Sequence, residues 1–223
     1  MCGRFTITLE PASFQEELEL GRMPSEWKPR YNVAPGQPVP AVRDAGSRDV
    51  AMLRWGLVPG WAKDPAIGYR MINARSETLN EKPSFRTAFK QRRCLILADG
   101  FFEWQQPAVS RAPKAPFYFQ LLGGNPFAFA GLWELWHSSD GSALETCTII
   151  TCAPNELVAR FHNRMPVILD KHACWDWLSD APLPDLQRLL QPYPSEKMTA
   201  HPVGQGVNNP REDDPQLIRP LAA

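Results

Sequence analysis

The sequence has no excess of charge of either sign. Its 24 Lys and Arg balance 24 Asp and Glu. A whole-molecule field that gathers polyanions is thereby excluded, so any nucleic-acid site has to be a local basic patch. Long apolar runs are also missing. No stretch of about 18 apolar residues exists, which argues against a membrane span. The opening MCGRFTITLEP has no basic leader ahead of an apolar segment, so no signal peptide is expected. The five cysteines (Cys2, Cys94, Cys147, Cys152 and Cys174) are odd in number and form no C-x-x-C pair. That excludes a disulfide framework or a zinc site and fits reduced thiols in a cytosol. There is no Walker loop, no G-x-S-x-G elbow, no H-E-x-x-H and no G-x-G-x-x-G. Acidic residues show no metal-ligand spacing. Neither a metal nor an organic cofactor is expected.

What is present starts with proline. There are 23, about twice the ordinary share, which predicts many fixed turns and few long helices. At 223 residues with 43% hydrophobic and 22% charged side chains, the chain can bury a sizeable core. Strands are expected over 2–9, 38–42, 50–57, 117–122, 127–136, 144–152 and 198–203; the apolar run 94–98 reads as a buried strand that 101–104, without clean alternation, continues. Short helices are expected over 11–20, 84–91, 155–161, 171–178 and 184–190. Gly123-Gly124-Asn125-Pro126 reads as a hairpin turn and Asp140-Gly141 as a second one, so the middle is expected to be an antiparallel meander. Trp55 to Trp61 reads as a rigid loop presenting aromatic faces. Strands, then helices, then a strand predict one mixed α+β domain with an antiparallel core over 1–223, its tail extended from about residue 208.

Several polar groups sit in apolar settings. Cys2 becomes the first residue if Met1 is removed, which the small size of Cys permits. It then carries an α-amine and a thiol on adjacent carbons, titrating near ~8 and ~8.5. Such an aminothiol can condense with an aldehyde through a Schiff base to a five-membered thiazolidine. The plain alternative is a small apolar residue opening a strand. Glu103 lies between Phe102 and Trp104. If buried it becomes a general acid through a raised pKa; strand alternation alone would send it to solvent. His162, one of four histidines, follows a helical segment and suits proton transfer near neutral pH. Asn73 and Arg75 are two apart and share a face of a strand. Arg4, Arg75 and Arg164 can gather into a basic strip, with Trp61 and Trp104 as stacking platforms, which is what binding of single-stranded nucleic acid needs.

Taken together, the chain closely resembles the SOS-response-associated peptidase (SRAP) family of abasic-site processing proteins. The matching pieces are MCGRF at 1–5, RYNVAPGQ at 30–37, RWGLVPGW at 54–61, INARSET at 72–78, ADGFFEW at 98–104 and HNRMPVIL at 162–169, with His201 to Asn209 as a last shared element. The resemblance covers nearly the whole chain. It implies a barrel-like β core flanked by short helices, and a sensor that crosslinks to abasic sites in single-stranded DNA. Carried over, Cys2 is the nucleophile, Asn73 positions Cys2 and the sugar, Glu103 shuttles protons, and His162 assists ring opening. Arg4, Arg75 and Arg164 hold phosphates; Trp61, Trp104 and Pro35 pack on neighbouring bases or backbone. The family name also allows an N-terminal-nucleophile cysteine peptidase, starting with removal of Met1, and a non-covalent DNA-binding module is the third reading. Where some relatives have two adjacent tryptophans, Trp61 is followed by Ala62-Lys63, so one stacking surface is lost and Lys63 offers a phosphate contact. A monomer in the bacterial cytosol, on the nucleoid when bound to DNA, is expected.

Overall fold

Five strands of the protein close on one another. The computed structural model describes residues 2–106 and 113–221. In chain order its regular elements are β1 (Phe5–Ile7), α1 (Pro11–Leu18), β2 (Arg30–Val33), β3 (Pro38–Val42), β4 (Val50–Trp55), β5 (Asn73–Arg75), α2 (Arg86–Gln91), β6 (Arg93–Ala98) and β7 (Gly100–Gln105). Then come β8 (Ala115–Leu121), β9 (Phe127–His137), β10 (Ala143–Cys152), β11 (Met165–Pro166), β12 (Ile168–Leu169), α3 (Lys171–Leu178), α4 (Leu183–Arg188) and β13 (Met198–Pro202). Strands β4, β3, β6, β9 and β10 pair in that order, and β10 returns to β4 through Thr146 opposite Arg54. Closure leaves no open edge in this barrel. A Cβ at Gly131 would sit 2.9 Å from both Cys94 Sγ and Ile96 Cδ1, so glycine lets β9 lie this close to β6.

A second, antiparallel sheet runs β13-β8-β7-β1-β2. An aromatic seam joins it to the barrel. Phe5 meets Trp55 at 5.0 Å and Phe129 at 5.6 Å, and Phe101 meets Phe129 at 6.3 Å. These edge-on contacts add about 0.5–1.5 kcal/mol per pair beyond burial. One hydrophobic cluster spans both sheets. Helix α3, capped by Asp170 accepting from the Ala173 amide, lays Trp177 on Phe89. The fold is mixed α+β with a barrel core and short helices, as expected.

Several local expectations are corrected. Glycines 123 and 124 do turn the chain, both with positive φ, but no hairpin forms. β8 belongs to the second sheet and β9 to the barrel, so residues 122–126 carry the chain between them. The reason lies in β9, which is buried on both faces over Phe127 to Leu132; such a strand needs cover on each side, which the barrel supplies. The middle is not a pure antiparallel meander either, because β10 runs parallel to β4 and β5. The 155–161 helix reduces to one 3-10 turn, Val158–Arg160. Of the 55–61 aromatics, only Trp61 is presented. Trp55 is fully buried and donates to the Ile72 carbonyl at 2.9 Å. The tail is not extended from residue 208. It forms a 3-10 turn at Pro215–Ile218, and Asp213 accepts from the Tyr31 and Asn32 amides, so the tail covers the outer side of β2.

Candidate active site

The N-terminal segment is held from three sides. In the β1–β7 pairing Phe5 lies opposite Phe101 and Thr6 opposite Gly100, and the Phe102 amide donates to the Arg4 carbonyl at 3.0 Å. Continuing that register sets Glu103 opposite the start of the chain. Asp99, buried between the sheets, accepts from the Thr6 hydroxyl at 2.5 Å, the Thr8 hydroxyl at 2.9 Å, the Leu9 amide at 2.9 Å and also the Thr8 amide. Thr6 Oγ1 lies 3.0 Å from the Tyr118 hydroxyl. From the barrel side, β5 lies parallel to β10, and Asn73 Nδ2 donates to the Cys2 carbonyl at 2.8 Å. Ala74 is buried, whereas half-buried Asn73 and exposed Arg75 share the other face of the strand, as the two-residue spacing requires. The Asn73 Oδ1 is buried and makes no hydrogen bond among the described residues.

Cys2 is fully buried, and its thiol donates to the Arg4 carbonyl at 3.8 Å. Burial, and next the Glu103 carboxylate, push the thiol well above its ordinary pKa, so it is held protonated. Glu103 is 3% exposed, so the solvent-facing alternative does not hold. Burial raises its pKa, against the pull of the N-terminal ammonium first, then of a backbone hydrogen bond at Trp104 and of the more weakly felt Lys114 charge. His162 follows the Val158–Arg160 turn and is half-buried. The Arg164 amide donates to His162 Nδ1 at 2.9 Å, so Nδ1 accepts and the neutral ring carries its proton on Nε2. Burial, chiefly, lowers its pKa.

Glu103 and His162 share one cleft of about 480 Å³, walled by Trp104, Gln106, Pro113, Lys114, Gln205 and Asn208. The structure therefore draws Cys2, Asn73, Glu103 and His162 into one neighbourhood. The six expected DNA contacts are placed less uniformly. Arg75 is exposed. Arg4 is half-buried, its Nη1 on the Gly3 carbonyl at 3.2 Å. Trp61 is 61% exposed, in a separate groove with Lys63 and Arg70. Pro35 is half-buried in the turn after β2, and half-buried Trp104 donates to Asn208 Oδ1 at 2.7 Å. Arg164 is already engaged: its side chain is 13% exposed, and it forks onto Glu77 at 2.6 and 2.9 Å while touching the Thr151 carbonyl. Motif reading gave no role to Asp99 or Gln205, although both lie inside quoted motifs, and it did not reach Lys114. Lys114 lies in a Pro-flanked loop with no pattern of its own, and Asp99 reads as a turn residue beside Gly100. Among the described residues no three His, Cys, Asp or Glu group to hold a metal, and no helix is long and apolar enough to cross a membrane.

Comparisons with known proteins agree on this framework. The sequence model of the SOS response associated peptidase (SRAP) family matches residues 1–210. The abasic site processing protein YoqW of Bacillus subtilis is 47% identical, over 98% of this chain and 99% of its own. The abasic site processing protein HMCES of Xenopus tropicalis is 31% identical, over 98% of this chain and 78% of its own. A crystal structure of a protein from Bacteroides thetaiotaomicron superposes with a TM-score of 0.88 at 26% identity, covering 99% of this chain and all of that one.

Proposed function

The chain belongs to the SOS response associated peptidase family, and on that premise we propose that it captures abasic sites in single-stranded DNA as a covalent thiazolidine through Cys2. The observation that supports this reading is a chain of neighbours far apart in sequence: Asn73 bonds the Cys2 carbonyl, Cys2 feels the Glu103 charge, and Glu103 shares a cleft with His162. The curated relatives are named for abasic site processing, which fits an aldehyde as substrate.

The chemistry runs as follows once hydrolysis has removed Met1. His162, with its proton on Nε2, assists opening of the deoxyribose to its aldehyde. The Cys2 amine adds to the aldehyde carbon, and Glu103 in its acid form protonates the carbinolamine oxygen, which leaves as water. The thiol sulfur then adds to the imine carbon and its proton passes to nitrogen, closing the ring. One aldehyde and one aminothiol give one thiazolidine and one water. Asn73 fixes the Cys2 carbonyl, hence the direction of the amine. Arg4 and Arg75 hold flanking phosphates, Arg164 joins them by exchanging Glu77 for phosphate, and Trp61, Trp104 and Pro35 support bases or backbone.

A general cysteine peptidase is less well supported. Hydrolytic thiols are activated by a lowered pKa or an adjacent base, whereas burial and a nearby carboxylate push this one up. Cleavage confined to Met1 remains compatible with the site.

The test is a denaturing gel of the protein with an abasic oligonucleotide. Wild type gives an adduct that survives denaturation, and Cys2→Ala gives none while binding intact single strands as before. An adduct formed equally by Cys2→Ala would overturn the reading.

A further inference from the structure

The cleft beside Glu103 and His162 has a cation that no motif contains. Lys114 is exposed on its wall and belongs to none of the ion pairs among the described residues. Arg164, by contrast, is clamped by Glu77.

The wall around Lys114 is built by a relay of hydrogen bonds. Trp104 Nε1 donates to Asn208 Oδ1 at 2.7 Å, Asn208 Nδ2 donates to Gln205 Oε1, and Gln205 Nε2 donates to the Lys114 carbonyl at 3.1 Å. Each step fixes an amide orientation. The relay crosses from β7 through the 3-10 turn Gln205–Asn208 to the residue that leads into β8. It ties the Lys114 backbone to the cleft instead of leaving it to the loop. Beside the Glu103 carboxyl and the His162 imidazole, the lining thus combines an indole, carboxamides and an ammonium, which is the chemistry a nucleotide unit asks of a protein: a face, hydrogen-bonding edges and a counter-charge.

We propose that Lys114 binds a backbone phosphate of a single strand lying in this cleft, and that Gln205 and Asn208 are positioning residues that seat it there. This rests on the reading that single-stranded DNA is the partner. The Lys114 charge is also felt at both Glu103 and His162, where it pulls each pKa down. The cation therefore lies within electrostatic reach of both proton carriers.

The experiment measures binding of the full chain to an undamaged single-stranded oligonucleotide across a series of salt concentrations, with thermal melting as the folding control. Lys114→Ala is expected to weaken binding roughly tenfold, the loss of one charge-assisted contact, and to flatten the salt slope by about 0.7, one phosphate on a single strand. Lys114→Arg retains both. Gln205→Ala weakens binding by itself, and adding it to Lys114→Ala brings no further loss, because the two act as one unit. A wild-type slope in Lys114→Ala would overturn the phosphate contact, and additive losses would overturn the positioning role. Because the oligonucleotide has no aldehyde, the outcome separates from the capture chemistry. A Lys114-dependent slope without any abasic adduct would leave this inference standing and sink the crosslink. An adduct with a Lys114-independent slope would do the reverse.

Discussion

Burial moves the two candidate proton carriers in opposite directions. It raises Glu103 and lowers His162, so the acid form of Glu103 and the neutral form of His162 coexist over a wider pH range than in an ordinary carboxyl and imidazole. Because the folded pKa of Glu103 is raised, its acid form persists above the usual carboxylate range and is lost as pH rises through the shifted value. Adduct formation should therefore fall on that alkaline side. Glu103→Gln should lose roughly 10²–10⁴-fold in rate, the usual worth of a general acid, and stopped-time gels across pH should show no alkaline fall for it. Arg164 calls for a different test. If its carboxylate partner competes with phosphate, Glu77→Gln should tighten single-strand binding a few-fold, the about 0–1 kcal/mol scale of a pair whose carboxylate faces solvent. Weaker binding, read by anisotropy, would mean that Glu77 aims the guanidinium instead. At this scale the sequence supplied candidates and was poor about their environment. Cys2, Asn73, Glu103 and His162 were all named from motifs, but alternation left Glu103 undecided between core and solvent. Nothing in INARSET or HNRMPVIL showed that Glu77 and Arg164 pair, because the contact spans 87 positions.

At the level of elements, the short β1 has little pairing of its own and depends on Asp99. One carboxylate oxygen takes the Thr8 amide, the Thr8 hydroxyl and the Leu9 amide. Asp99→Ala would leave the Thr8 and Leu9 amides without their acceptor. The expected cost is about 1–3 kcal/mol, a melting-temperature drop of several degrees for a chain of this size. An unchanged melting curve would remove Asp99 from the anchoring of the N-terminal strand. Gly100 is equally constrained: an added Cβ would lie 2.1 Å from the Tyr118 hydroxyl. Gly100→Ala should therefore cost about 1–3 kcal/mol through overpacking, read in the same melts. Elements set by local signals were the legible ones. The range 171–178 was read as a helix and is one, and 38–42 was read as a strand and is one. The 123–126 turn was legible as a turn, yet its glycines encode a change of direction and not the partner of the strand that follows. That partner is chosen by the apolar character of β9 on both faces, a tertiary demand.

For the whole molecule, closure depends on β10, which meets β9 and β11 antiparallel and β4 and β5 parallel. Through β5 it also delivers Asn73 to Cys2. Barrel closure by a parallel contact between residues about 92 positions apart, such as Arg54 and Thr146, leaves no mark in local periodicity, so only the mixed class and the family resemblance pointed to it. Zero net charge remains a constraint on this scale: the proposed DNA contact rests on a few local cations and is therefore expected to have a shallow salt dependence. The central claim is that the fold presents Cys2 as a terminal aminothiol. It is tested most directly by intact-mass spectrometry of two preparations, one beginning at Cys2 and one retaining Met1, each incubated with the same abasic oligonucleotide. The account predicts that the Cys2-first form gains the oligonucleotide mass less one water, with peptide mapping placing it on Cys2, and that the Met1-retaining form gains nothing. Equal adducts from both forms, or an adduct mapped to another residue, would contradict it.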